Sequence, residues 1–437
     1  MTTHCVRETY HMRTNHHVPG GLTRLLRPAT GLVIAIVGLA LGACSNLLDV
    51  KYPGRIPFDQ LNNPALAEVL ANGVVGDLEC AYNNYVGGTS VHSDEYESAS
   101  DNGLLANWGE RNITSENGDY AVGQCEAGSS DFGLHVPMQV ARFQSEDVFK
   151  RLAAWTDAQV PGRVGLQAMV RAYGAYAYTF LGETYCTVAL DGGAPGPPAA
   201  ALTIAAARFA EAIALAGQAG SGSADLIKLS NVGLARVNMN LKNWAQAATF
   251  AARVPAGFEF FADRGIENDR RWNKLHYFAT DLGAFVVSND YRTMNDPRVL
   301  VKNLNKPAFN PYINLWVTTK YSGIADPIRL ASYREARLIL AEANAMLGDV
   351  TGAMAIINAR RAEVDLPALA VAGVNQAAAV NIIIEERRRE LSFEGGHRMN
   401  DLIRKNIPWK VGRNPFTNRP YGATTCWPTP VAETNGR

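Results

Sequence analysis

Tyr333-Arg-Glu-Ala-Arg-Leu-Ile-Leu-Ala-Glu-Ala-Asn-Ala-Met-Leu347 is the stretch that decides the fold. Ala336, Ile339, Leu340, Ala343 and Leu347 recur at the spacing of one helical face, which predicts an amphipathic helix. Ser332, with Glu335 three residues on, is the pattern of a capping box, and Gly348 is a stop signal. A second helix is expected from about Thr351 to Val364, with Ala353, Ile356 and Ile357 inward and Leu366-Pro367 ending it. Two helices joined by so short a turn form a hairpin.

Working outward, the same layout recurs upstream. Ala235, Leu241 and Ala247 stand around the turn Lys242-Asn243 as Ala341, Leu347 and Ala353 stand around Gly348-Asp349, 106 residues later. Ala175 and Leu181, before Gly182-Glu183, repeat the first half. Small residues at fixed offsets let helices approach closely, which is the logic of tetratricopeptide-type repeats. The expected fold is therefore mainly α, a tetratricopeptide-like helical-repeat scaffold covering about 140–255 and 330–405, with an irregular helical bundle as the alternative. Residues 80–135 and 255–330 are rich in Gly, Ser, Asn and Asp with interspersed aromatics and no sustained period. They are expected as loop-rich excursions forming a second lobe, and Asp191 to Pro198 as a connector.

Composition narrows the function classes. The chain has 437 residues, with 41 Lys+Arg against 41 Asp+Glu, so nothing suggests the basic footprint of a nucleic-acid binder. No apolar run reaches the roughly 20 residues of a membrane span, which argues against a channel. Arg7, Arg13, Arg24 and Arg27 precede the apolar run Gly31 to Gly42, the form of a secretory signal, and Leu41-Gly42-Ala43-Cys44 resembles the bacterial lipobox. Residues 1–43 are expected to be removed, Cys44 lipidated, 44–55 a tether and 56–437 the body. Loss of the leader leaves a slightly acidic remainder, so lipid rather than basic charge would hold the protein to a membrane. Ser45 after the cysteine favours the outer membrane.

Cys80, Cys125, Cys186 and Cys426 remain, an even number in an oxidising setting. Three pairings are possible. The short loop between the first two favours Cys80–Cys125 with Cys186–Cys426. His92, His135, His276 and His397 lack metal-ligand spacing, and there is no H-E-x-x-H, G-x-S-x-G, Walker A or G-x-G-x-x-G pattern, so neither a metal nor a cofactor is expected.

Near the end of the chain stands Ile382-Ile-Ile-Glu-Glu-Arg387-Arg-Arg-Glu-Leu-Ser-Phe-Glu394-Gly-Gly-His-Arg398-Met-Asn-Asp401-Leu-Ile-Arg404. It reads as an apolar-faced helix laced with Glu/Arg pairs, Glu385 with Arg389 among them, a glycine break and a second short helix. The string resembles the C-terminal signature of the SusD/RagB family of outer-membrane nutrient-uptake lipoproteins. The lipobox, the Arg171-Ala-Tyr helix, the Tyr333 helix and the closing Trp427-Pro-Thr-Pro430 are similar to that family in the same order. The resemblance implies a SusD-like fold, a lipid anchor, and non-catalytic capture of glycan or similar nutrient. It also implies a SusC-like TonB-dependent outer-membrane transporter as partner. Arg387, Glu394, Arg398 and Asp401 are expected to tie helices together rather than touch ligand.

A sugar stacks the C–H face of its ring on flat aromatics and offers hydroxyls to fixed carboxylates and amides. Trp108, Tyr96 and Tyr120 with Asp94, Glu95 and Asn102 supply that mixture and are the candidate ligand contacts; Trp272, Tyr291 and Trp316 are the second set. Two other readings compete. Asp94, Glu95, Glu97 and Asp101 could furnish the carboxylates of a helical glycoside hydrolase, and the scaffold could be a protein-binding adaptor.

Overall fold

The computed structural model describes residues 58–100, 103–117, 120–121, 125 and 132–434. The leader, Cys44, the tether, Asp101 and Asn102 lie outside these residues. The chain divides into residues 1–61, of which only the start of a 3-10 turn is described, and the body Asn62–Arg437.

The body is mainly helical. Its longer helices are α1 (Ala67–His92), α2 (Gly103–Gly109), α3 (His135–Ala154), α4 (Arg163–Thr184), α5 (Pro198–Ala219), α6 (Ala224–Asn240), α7 (Trp244–Ala251), α8 (Tyr333–Met346), α9 (Val350–Ala362), α10 (Gln376–Glu390) and α11 (His397–Arg404). Helices α3 to α7 pack neighbour on neighbour, and the pair α8–α9 joins them through contacts of α8 with α6 and α7. Helix α5 is long and apolar enough to cross a membrane by length and composition, which the sequence reading did not anticipate. Its Ala201, Ala205, Phe209 and Ala212 are buried, and it packs against α4 and α6.

Among the described residues the strands form three two-stranded antiparallel ribbons: β1 (Tyr96–Ser98) with β3 (Phe285–Val287), β2 (Glu259–Ala262) with β6 (Ile328–Ser332), and β4 (Val301–Pro307) with β5 (Asn314–Thr318). Ile313, Leu315 and Val317, alternating along β5, bury against Ala99, Val286 and Ala308 in a small core of their own.

Helix α8 shows how the scaffold is held. The Ser332 hydroxyl accepts the Glu335 N–H at 3.1 Å, capping the first turn. The reciprocal half of the box is absent, because the Glu335 carboxylate turns inward to Arg236 at 3.5 Å. At the other end Gly348 takes φ 95°, and the Asp349 carboxylate caps α9 by accepting the Gly352 N–H at 2.8 Å. The helix is wedged between two cores. Ala336, Ile339 and Ala343 face the main one, while Leu338, Ala341 and Ala345 face a second cluster shared with α9 and α10. The single stripe expected from the sequence therefore misses Leu338, and Leu347, at 56% exposure, lies outside the packing.

Two further expectations are corrected. Residues 80–92 are helical, because α1 is buried on every side from Leu78 to His92 and so has no polar face to impose a period. A Cβ on Gly87 would meet the Phe132 ring at 2.1 Å, so this glycine serves close packing. Gly182 likewise makes no turn: α4 runs on to Thr184, and a Cβ there would meet Leu202 at 2.5 Å.

The lattice of buried charge is centred on Glu183 and Arg236, 0% and 1% exposed at their side chains. Arg236 donates to the two carboxylate oxygens at 2.7 and 2.6 Å and to the Gly395 carbonyl at 2.8 Å. The same carboxylate accepts from Tyr85 at 3.0 Å and Asn240 at 2.8 Å. Burial pushes the nearby Glu335 carboxyl up to about 7, against the pull of Arg236 and Arg387.

Two predictions follow from this packing. Leu338→Ala should cost about 2–5 kcal/mol and Leu347→Ala no more than about 0.5 kcal/mol, read by denaturant unfolding; equal costs would mean the helix faces are wrong. The raised Glu335 pKa makes its contribution whole below the unfolded value of 4.5 and lost as pH rises through about 7. Glu335→Gln, which stays neutral, should therefore raise Tm over the parent near pH 8 and bring no gain near pH 4.5. A pH-independent difference would contradict this.

Candidate functional site

The aromatics expected to stack on ligand are in the core. Trp108, 1% exposed on α2, sits edge-on to Tyr120 at 6.0 Å, Phe132 at 5.9 Å and Trp427 at 5.5 Å between centroids. The Tyr120 hydroxyl donates to the Pro428 carbonyl at 2.7 Å, and Tyr96 packs against Phe393. Neither ring reaches solvent: Tyr120 belongs to the aromatic cluster that holds the chain's closing segment, and Tyr96 packs on Phe393 of the motif. Glu95 is buried too; it accepts the Phe393 N–H at 2.5 Å, and burial pushes its carboxyl up to about 7. These four residues are therefore fold residues, which corrects the expectation of an exposed platform. In the second set Tyr291 is also fully buried, while Trp272 and Trp316 are half-buried.

The motif residues interlock. Arg398 clasps Asp94 through two bonds of 2.7 and 2.6 Å, Arg387 meets Asp401 at 3.0 Å, and Glu394 takes Lys320 at 2.9 Å and Arg329 at 2.6 Å. Arg404 bonds Asp401 and spans both oxygens of Glu342 at 2.6 and 2.7 Å. Phe393, Gly395 and Gly396 all take positive φ in the break between α10 and α11. A Cβ on Gly396 would meet the Tyr85 ring at 2.4 Å, so the glycine lets the turn seat on α1.

Among the described residues of the first candidate set, Asp94 lines a cavity. A cleft of about 150 Å³ is lined by Asp94, Arg111, Asp290, Trp409, Lys410 and Tyr421 among others. Burial works to raise the Asp94 carboxyl, but Arg398 and Arg388 outweigh it and hold it below the usual range. Arg111 lies 5.4 Å from the Trp409 ring centre and 5.7 Å from that of Tyr421, and its guanidinium donates to the Lys410 carbonyl. Glu97 accepts from both Lys410 and the Tyr421 hydroxyl, which fixes the ring and the ammonium in place. A Cβ on Gly422 would strike the Arg111 carbonyl at 2.3 Å, so glycine is what lets this wall close up. Trp409 and Tyr421 are half-buried.

Sequence reading missed both rings. The available signal was the isolated aromatics in the Asn-, Pro- and Gly-rich run from Asn406 to Gly422 beside the motif. The result is two rings, two carboxylates, an ammonium and a guanidinium around a space the size of one small ring. Among the described residues, no group of three or more His, Cys, Asp or Glu could hold a metal ion.

The segment bearing this wall is anchored beyond it. Cys186 is joined to Cys426 with Cα atoms 5.1 Å apart, and Cys80 to Cys125 at 5.4 Å. The Trp427 N–H donates to the Thr184 carbonyl at 2.7 Å and its carbonyl accepts from Cys186 at 2.9 Å.

Residues 267–428 match the SusD family. A search of curated proteins finds no match. Among solved structures, a SusD-like carbohydrate binding protein from Bacteroides vulgatus ATCC 8482 is similar at 16% identity and TM-score 0.60, covering 78% of this chain and 83% of that one. A SusD superfamily protein from Bacteroides thetaiotaomicron VPI-5482 is similar at 12% identity and TM-score 0.66, over 85% and 98%. One from Bacteroides fragilis gives 16% and 0.63 over 86% and 98%. At such identities the likeness speaks for the fold. Residues 267–428 thus match the SusD family across α8 to α11 and the closing segment, and the body as a whole has a SusD-like fold.

Proposed function

We propose that the chain is a cell-surface lipoprotein that captures glycan in the cleft of Asp94, Trp409 and Tyr421. It then passes the glycan to a SusC-like TonB-dependent transporter in the outer membrane. The observation that carries the reading is the meeting, in one cleft of a body with a SusD-like fold, of two half-buried rings with fixed carboxylates and an ammonium. An indole or phenol face takes the C–H side of a pyranose, while Asp94, Asp290 and Lys410 suit its hydroxyls. The printed description of one structural relative as a carbohydrate binding protein supports the same ligand class. The lipobox ending in Cys44 supports the anchor.

Capture without bond cleavage fits the charge pattern. A glycosidase keeps one carboxyl protonated near neutral pH and sets a second beside the sugar. Asp94 is held ionised by Arg398, and Glu97 is committed to Lys410 and Tyr421. The ionised Asp94 is therefore no proton donor, and Glu95, whose carboxyl burial raises to about 7, is buried against the Phe393 N–H and does not line the cleft.

Calorimetric titration of the mature chain with neutral oligosaccharides tests the cleft. Trp409→Ala should weaken binding by about tenfold or more with Tm close to the parent's. Undiminished binding, or joint loss of binding and Tm, would remove Trp409 from the site, and turnover of the sugar would replace capture with catalysis. For the anchor, Cys44→Ala should move the protein from the membrane to the soluble fraction, and unchanged fractionation would refute lipidation there.

A further inference from the structure

A second cavity, of about 310 Å³, opens where β2, β6, α8, α9 and α10 meet. Five cations line it, Arg298, Lys320, Arg329, Arg334 and Arg360, against two carboxylates, Glu390 and Glu394. These two acids are heavily shared. Glu394 takes both Lys320 and Arg329, while Glu390 accepts from two of the three nitrogens of Arg360 at 2.9 Å and lies 3.7 Å from Arg298 and from Arg334. The acids that complete Arg298, Asp296 and Glu386 at 2.7 Å each, are not among the cavity's lining residues. Glu259, 3.0 Å from Arg329, and Glu363, 2.6 Å from Arg360, also lie outside the lining, so the charged groups that border the space are mostly cationic although their acid partners stand behind them.

Arg334 is the cation least committed to the fold. Its side chain is 43% exposed, and its ion-pair partners Glu259 and Glu390 lie at 3.8 and 3.7 Å, past hydrogen-bond distance. The rest of the wall includes Phe261, Pro297, Leu300 and Pro327. Apolar surface around clustered charge lowers the local dielectric and concentrates the field on an entering anion. A guanidinium with unspent donors matches the paired oxygens of a carboxylate or sulfate better than any neutral hydroxyl.

We infer that this cavity binds an anionic group borne on a sugar unit, the carboxylate of a uronic acid or a sulfate ester, with Arg334 as its principal donor. The shared chemistry is a cluster of anionic oxygens on a polyhydroxylated ring. The cavity differs in residues and charge from the cleft at Trp409, and its occupation does not require that cleft.

Calorimetric titration of the mature chain with an oligogalacturonide, a sulfated disaccharide and a neutral oligosaccharide tests the inference and tells the two anions apart. At least one acidic probe should bind more tightly than the neutral one, and more weakly at about 0.5 M salt. Arg334→Ala should weaken that acidic probe about ten- to a hundredfold, with Arg334→Lys recovering part of the loss, and leave Tm and the neutral probe unchanged. The inference is overturned if the acidic probes bind no better than the neutral one, or if Arg334→Ala binds them as the parent does. Failure of the neutral probe alone would bear only on the cleft.

Discussion

The Glu183–Arg236 pair is the constraint on which the body depends. Its two charges come from α4 and α6; Tyr85 of α1, Asn240 of α6 and the carbonyl of Gly395 take further hydrogen bonds, and the other terminal nitrogen of Arg236 faces Glu335 at 3.5 Å. A buried pair with unmet donors would lose more to desolvation than it gains by attraction. Here the requirement for partners fixes where α1 and the α10–α11 turn must lie. The C-terminal signature is thus docked on the helical repeat by the need to satisfy one carboxylate and one guanidinium.

That docking links fold to site. The turn at Gly395-Gly396 starts α11, which presents Arg398 to Asp94, and Asp94 borders the cleft whose other wall carries Trp409, Lys410 and Tyr421. The motif residues thus act as positioning groups: they hold a carboxylate at the mouth of the cleft and keep it ionised. In the cavity around Arg334 two carboxylates of the same motif region are each shared among several cations.

Elements with one wet and one dry face were readable from the sequence. The α8–α9 hairpin announced itself through its apolar spacing, Ser332, Gly348 and Asp349. Helix α1 did not, because burial on all sides removes the polar face, and its Gly87-Gly88-Thr89-Ser90 has the composition of a loop. The site was harder for a different reason. Aromatics near acids look alike whether they stack on a sugar or on each other, and Trp108, Tyr96 and Tyr120 stack on their own kind. What separates them from Trp409 and Tyr421 is contact with residues hundreds of positions away, such as Tyr120 with Pro428, which no local pattern encodes.

The cross-link between Cys186 and Cys426 spans 240 positions of sequence. As the chain is made, the earlier thiol must wait, unpaired, until everything between has followed. The sulfur available to it first is Cys80 or Cys125, so the native partnership relies on those two finding each other quickly across their 45-position separation. The shorter ring is the cheaper of the two to close, and closing it removes both of the earlier sulfurs from competition for Cys186.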